Sequence, residues 1–167
     1  MALVERGIGL VYGGGRVGLM GVLADAVLGA GGRVTGVLPR ALAVKEVAHE
    51  GLTELIVTES MHARKREMAE RADAFIALPG GIGTLEELFE AWTWAQLGVH
   101  RKPCGLLNVA GYYDGLIGFL DHSVTEEYLR SEHREMLLVD TDAGTLIERL
   151  GSHELPTIPK WLSSGAT

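Results

Sequence analysis

The sequence predicts an α/β fold in which a doubly wound parallel sheet forms a single domain. Short apolar runs alternate with longer stretches of helical periodicity along the 167 residues, and this alternation is typical of parallel sheets covered by helices on both faces. Hydrophobic residues make up 47% of the chain, which is enough for a sizeable core at a length that suits one domain. Two glycine-rich stretches directly follow apolar runs, and in such sheets ligands bind beyond the carboxyl ends of the strands.

Six short apolar runs predict the strands, because strands buried on both faces read as continuous hydrophobic stretches. In chain order they are Gly7–Gly13, Arg33–Pro39, Leu55–Glu59, Ala74–Pro79, Cys104–Val109 and Met136–Asp140. The intervening segments predict helices, the first of which ends on glycines that suit a helix terminus. These helices are Gly18–Gly32, Met61–Ala72, Thr84–Leu97, Tyr113–Tyr128 and Ala143–Leu150. We therefore expect a domain over residues 1–150 and an irregular tail over residues 151–167.

Composition excludes several classes of protein. The net charge is −7 and no run of five basic residues occurs, which argues against a nucleic-acid partner. No stretch approaches 18 consecutive apolar residues, so no membrane span is expected. Cys104 is the single cysteine, and the start "MALVERG" lacks the apolar core of a secretory signal, so a cytoplasmic protein is predicted. His62, His100 and Cys104 lack metal-ligand spacing, and no metal is expected.

The segment "GGGRVG" matches G-x-G-x-x-G between a predicted strand and a predicted helix. A dinucleotide site with this motif also needs an acidic residue at the end of the next strand, but that strand ends in "VLPR" with Arg40. The motif therefore predicts a close approach of backbone to a nucleotide at Gly14 and Gly15, without a redox cofactor.

The segment "PGGIGTLEE" places Gly80, Gly81 and Gly83 directly before a helix. Unshielded amides at a helix N-terminus favour an anion, so the segment predicts a phosphate site. Since no P-loop lysine is present, a monophosphate fits better than a nucleoside triphosphate. A local alternative is a capping box between Thr84 and Glu87, which match T-x-x-E.

Glu87 is the candidate for chemistry on this helix. On a helical wheel of about 100° per residue, Glu87 lies about 150° from the centre of the helix's apolar stripe. Glu87 therefore points away from the core. That stripe consists of Leu85, Leu88, Phe89 and Trp92. Trp94 lies about 200° from Trp92, so one core face cannot cover both.

The segment "MHARKREM" places Arg64 and Lys65 on the same helical face as methionines. Two interpretations stay open at this stage. The two side chains extend to solvent from an inward stripe, or they form a cationic pair that faces a buried anion.

These motifs together resemble the Lonely Guy family of cytokinin riboside 5′-monophosphate phosphoribohydrolases. The resemblance runs from about Gly7 to Leu150 and includes "VYGGGRVGLMG", "MHARK", "PGGIGTLEE" and "TWAQLGVHRKPCGLLN". It implies a Rossmann-like sheet, usually in a homodimer, and hydrolysis of a purine nucleoside 5′-monophosphate to free base and ribose 5-phosphate. It implies no metal and no redox cofactor. Family members begin with a further strand and helix, which this sequence is expected to lack.

Carried over by motif, the resemblance implies Arg64 and Glu87 as the catalytic pair, acting through an oxocarbenium-like state of the ribose. It also implies a set of substrate-binding positions, which includes the phosphate loop. These positions are Gly14, Gly15, Glu46, Lys65, Gly80, Gly81, Ile82, Gly83, Thr84, Leu85, Glu86 and Thr93.

Three alternatives remain at this stage. A general AMP nucleosidase would use the same loop, and a non-catalytic carrier of a phosphorylated ligand would need the glycines but not both Arg64 and Glu87. A pyridoxal-phosphate decarboxylase would need a lysine in an apolar pocket pattern, which none of the lysines shows. The lysines are Lys45, Lys65, Lys102 and Lys160.

Overall fold

The structure, a computed structural model, describes residues 2–43 and 48–156. Its contacts divide the chain into two compact units, Met1–Ala72 (unit 1) and Asp73–Thr167 (unit 2). Each unit carries a three-stranded parallel sheet, so the predicted α/β class with parallel strands is confirmed. The predicted division at residue 150 stays a prediction. None of the helices in the described ranges is long and apolar enough to cross a membrane.

Unit 1 is built around the sheet order β1-β2-β3. Its strands are β1 (Leu10–Tyr12), β2 (Val34–Pro39) and β3 (Glu54–Thr58), and its helices are α1 (Leu19–Gly29), α2 (Arg40–Ala43) and α3 (Met61–Arg71). Tyr12 of β1 and Val34 of β2 pack against Ala24 and Val27 of α1 in one buried cluster. The hydrophobic effect thus fixes α1 on the sheet.

Unit 2 has the sheet order β4-β5-β6. Its strands are β4 (Phe75–Ala77), β5 (Cys104–Leu107) and β6 (Leu137–Asp140), and its helices are α4 (Ile82–Gln96), α5 (Asp114–Thr125), α6 (Ser131–Glu135) and α7 (Ala143–Ser152). All four residues of β5 are buried. Successive side chains of a strand point to opposite faces, and accordingly Leu106 packs with α4 and α5 while Leu107 packs with α7.

All six predicted strands are present, but several predicted ends are wrong. Gly7, placed in the first strand, instead closes a 3₁₀ turn at Val4–Arg6 with φ +66°. Gly151, placed in the irregular tail, lies inside α7. Helix α4 begins at Ile82 rather than Thr84. The short helices α2 and α6 were not predicted, since four or five residues give too little periodicity to recognise. Residues 157–167 of the predicted tail lie outside the described residues.

Candidate functional site

The carboxyl ends of β1, β2 and β3 lie at one edge of the unit 1 sheet, because the strands are parallel. The glycine loop 13–18 follows β1, Arg40 follows β2, and Ser60 follows β3 by two residues. Arg40, found where a dinucleotide site needs an acid, donates from Nη2 to Glu59 Oε1 over 2.9 Å. This hydrogen bond is the main reason that the pKa of Glu59 is lowered.

Arg64 is buried, with only 8% of its surface exposed. It lies in the first turns of α3, which begins after Ser60, whose Oγ accepts a hydrogen bond from Ala63 N–H. Its Nε donates to the main-chain oxygen of Val37 in β2 over 3.0 Å. The interpretation in which Arg64 extends to solvent is therefore wrong, whereas its neighbour Lys65 is half-buried. Burial of a charged side chain is rare and needs polar partners, so Arg64 is a strong functional candidate.

Gly13 provides the space for the Arg64 guanidinium. A Cβ at Gly13 would overlap Arg64 Nη2 and would lie 3.2 Å from Arg64 Cζ. Any side chain at this position would therefore have to displace the guanidinium. The space that the first glycine of the loop leaves is occupied by a side chain of α3, which the motif alone does not indicate.

Gly14 and Gly15 are held by main-chain contacts. Gly14 has φ +73°, and its oxygen accepts a hydrogen bond from His49 N–H over 3.0 Å. The Tyr12 phenol donates to the Gly15 oxygen over 3.1 Å. Burial, with Asp25 as a second cause, raises the pKa of Tyr12 to about 12, so this phenol stays a donor through neutral pH. Glu46 falls within residues 44–47, which lie outside the described residues.

In unit 2, the predicted phosphate loop leads from β4 into α4. Gly81 is the N-cap of α4, and the first helical hydrogen bond runs from Leu85 N–H to the Gly81 oxygen over 3.2 Å. No side chain caps this helix start. The predicted capping box between Thr84 and Glu87 is therefore wrong, because the helix starts two residues earlier. Three backbone N–H groups of the first turn, at positions 82–84, precede that first bond, as at any helix start.

Gly80 lies directly against the first turn of α4. A Cβ at Gly80 would overlap Thr84 Oγ1 and lie 2.8 Å from Thr84 Cβ. The loop therefore folds back on the helix so tightly that no side chain fits, and the Thr84 hydroxyl lies beside the glycine backbone.

Two tyrosines bind the carbonyl groups of this loop. Tyr112 Oη donates to the Gly80 oxygen over 2.8 Å, and Tyr113 Oη donates to the Leu78 oxygen over 2.6 Å. Burial, and next the neighbouring Tyr112, raise the pKa of Tyr113. Both residues lie outside the positions predicted from the sequence. The signal available was "GYYD" after a buried strand, at the edge of the sheet where ligands bind.

The remaining predicted positions on α4 differ in exposure. Glu87 is half-buried in the second turn, and Leu85 packs against the core together with the buried Leu88 and Trp92. Ile82 is 86% exposed, and the residues Gly83, Glu86 and Thr93 are exposed as well. The predicted core stripe is thus confirmed. Within the described ranges, no group of three or more His, Cys, Asp or Glu side chains is placed to hold a metal ion.

Comparison with known proteins shows a match to one family model and similarity to several plant proteins. A family model described as "Possible lysine decarboxylase" matches residues 20–150. The chain is 51% identical, over 89% of its length and 70% of the relative's, to cytokinin riboside 5′-monophosphate phosphoribohydrolase LOG2 of Arabidopsis thaliana. It is 52% identical to LOG7 of the same plant, over 91% of this chain and 70% of that protein. It is 53% identical to the probable phosphoribohydrolase LOGL9 of Oryza sativa subsp. japonica, over 89% of this chain and 65% of that protein.

Proposed function

Because this chain belongs to the Lonely Guy family, we propose that it hydrolyses the N-glycosidic bond of purine nucleoside 5′-monophosphates, those of cytokinin ribosides above all. Water adds to C1′ of the ribose, the bond from C1′ to the base nitrogen breaks, and the base leaves with a proton. The products are the free base and ribose 5-phosphate. The observation that carries the proposal is the glycine loop at the start of the 15-residue helix α4, since such a helix start suits a monophosphate.

Glu87 and Arg64 are the proposed catalytic residues. A carboxylate near the anomeric carbon stabilises an oxocarbenium-like transition state and orients water, as in glycoside hydrolysis. Glu87 takes this role, and its half-buried place in the second turn of α4 supports it. Arg64 binds a substrate oxygen with its guanidinium, whose planar fork suits oxygen anions. Its fixed attachment to Val37 supports a positioned rather than a mobile cation.

The other proposed residues bind the substrate, and all of them lie in the proposed nucleotide-binding domain of residues 1–150. The loop from Gly80 to Thr84 binds the 5′-phosphate, and Gly14 and Gly15 allow the substrate to approach the backbone. The remaining proposed positions are Glu46, Lys65, Leu85, Glu86 and Thr93.

Incubation of the protein with AMP and with N6-prenylated AMP, followed by chromatography for the free base, tests the proposal. We expect release of base from both nucleotides and a higher kcat/KM for the prenylated one. Equal values would favour a general AMP nucleosidase, and binding of both nucleotides without any release of base would indicate a carrier. Incubation with lysine and pyridoxal phosphate, monitored for carbon dioxide, tests the activity named in the family-model description.

A cytoplasmic homodimer is the proposed form of the enzyme. Trp92 is buried in the core, whereas Trp94 is only half-buried on another side of α4. Leu97 and Val99, just beyond the helix, are 48% and 69% exposed. Apolar surface of this kind supports contact with a second copy of the chain. A monomer at micromolar concentration in sedimentation experiments would contradict the dimer, and cell fractionation tests the location.

A further inference from the structure

Consecutive tyrosines hold the two ends of the loop before α4. Their phenols bind the oxygens of Leu78 and Gly80, which lie on either side of Pro79. A loop rich in glycine has many accessible backbone conformations. Two hydrogen bonds from one short segment reduce the number of conformations that the loop backbone can adopt.

The bond from Tyr112 also sets the direction of a backbone donor. The described chain contains no cis peptide bond, and in a trans peptide the C=O and the following N–H point in opposite directions. Fixing the Gly80 oxygen against Tyr112 therefore turns the Gly81 N–H to the opposite side of the loop. Gly81 is the N-cap of α4, where N–H groups are available to an anion.

The tyrosines themselves are held by a strained and well-bonded turn. Ala110 has φ +52°, a left-handed conformation that a residue with a side chain adopts only at a cost. Asn108, 7% exposed, accepts a hydrogen bond from Tyr113 N–H over 2.8 Å and donates to Asp114 Oδ1 over 2.7 Å. The Tyr112 and Tyr113 rings meet edge to face, with centroids 4.8 Å apart. Strain of this kind concentrates at sites that need a fixed geometry.

We propose that Tyr112 is a positioning residue for the phosphate loop: its phenol orients the Gly81 amide toward the 5′-phosphate of the bound nucleotide. This inference rests on the proposed function, because it takes the 5′-phosphate as the occupant of the loop. Tyr113 anchors the beginning of the same loop at Leu78, and Tyr112 acts through the backbone rather than on the reacting atoms.

The test is Tyr112→Phe, which removes one hydroxyl and keeps the ring. Tyr128→Phe is the matched control, because Tyr128 is a tyrosine of the same unit with 91% of its surface exposed. For the Tyr112 variant we expect the KM for AMP and the Ki for inorganic phosphate each to rise about tenfold, the size expected for one lost hydrogen bond. We expect kcat to stay within about twofold of wild type, because the bond acts on ground-state and transition-state binding alike. If Tyr112 had a purely structural role, its substitution would lower the melting temperature without raising KM and Ki selectively over kcat.

Two kinetic results overturn the inference. One is an unchanged KM and phosphate Ki in the Tyr112 variant, and the other is a fall in kcat at constant KM. If the wild-type protein shows no hydrolysis, titration calorimetry with AMP and adenosine replaces the kinetics. Weaker binding of AMP but not of adenosine by the variant then supports the loop's role while the proposed function fails. If the wild type hydrolyses AMP and Tyr112→Phe has no effect, only the positioning role is overturned. In calorimetry, equal weakening of AMP binding and adenosine binding by the variant also overturns the positioning role.

Discussion

The Nε of Arg64 donates a hydrogen bond to the main-chain oxygen of Val37 over 3.0 Å, which ties a buried guanidinium of α3 to the central strand of its sheet. The two residues are 27 positions apart in sequence. This contact makes Arg64 a fixed group at the carboxyl edge of unit 1 rather than a mobile surface cation. A fixed cation loses little conformational entropy when it binds a substrate oxygen.

The first prediction tests whether the guanidinium itself is required. Arg64→Lys keeps the charge but replaces the planar fork with a single ammonium. We expect kcat/KM for AMP to fall at least about a hundredfold, in the range seen when a positioned electrostatic group is removed. Arg66→Lys, an exposed position on the same helix, is the control and should keep its activity. Wild-type kinetics in Arg64→Lys would show that charge alone suffices.

The second prediction concerns Gly13. A Cβ there would overlap Arg64 Nη2, so Gly13→Ala must displace the guanidinium. We expect kcat/KM to fall about tenfold or more, with a loss of stability of about 1–3 kcal/mol from overpacking. Gly29→Ala is the control: nothing lies within 4 Å of its added Cβ, and alanine in a helix is favoured over glycine by about 0.5–1 kcal/mol. Unchanged turnover by Gly13→Ala would mean that the position of Arg64 does not matter.

The third prediction separates chemistry from helix stability at Glu87. Since α4 begins at Ile82, Glu87 lies in the second turn and does not cap the helix. Glu87→Gln should therefore change the free energy of unfolding by less than about 1 kcal/mol, while kcat falls about a hundredfold. Glu90→Gln, a half-buried residue of the next turn, should leave kcat unchanged. Near-normal turnover by Glu87→Gln would remove the catalytic role.

The fourth prediction uses the thiol of Cys104, which lies in β5 with 1% of its surface exposed. Burial raises its pKa from 9.0 to about 12. Because the thiolate is the reactive form, the folded protein should resist iodoacetamide at about pH 8.5 and react once unfolded in guanidinium chloride. Mass spectrometry measures the extent of alkylation. Rapid alkylation of the folded protein would contradict this burial.

The same pKa shift predicts how stability changes with pH. Between pH 9 and about 12 the unfolded thiol loses its proton while the folded thiol keeps it, so the folded state binds more protons there. The free energy of unfolding must then fall as pH rises through this range. The stability that the raised pKa of Cys104 contributes is fully present below pH 9. Cys104→Ala should show a shallower decline in denaturant titrations over the same range.

Local sequence patterns determined the order of strands and helices, because hydrophobic periodicity and flanking glycines report directly on local backbone structure. They also placed Arg64 and the glycine loops at helix starts, since the pattern of a strand followed by a helix puts those residues beyond a strand end. The predicted start of α4 at Thr84 is wrong, because T-x-x-E fits a helix that starts at Thr84 as well as one that begins at Ile82. Only the path of the loop decides between them.

Tertiary structure alone decided which distant residues meet. Three contacts join residues more than 25 positions apart: the hydrogen bond from Arg64 to Val37, the packing of Arg64 against Gly13, and the hydrogen bond from Tyr112 to Gly80. Such contacts depend on strand register, helix rotation and side-chain rotamers together. No local pattern encodes these three quantities, because each is set by how whole elements pack against one another.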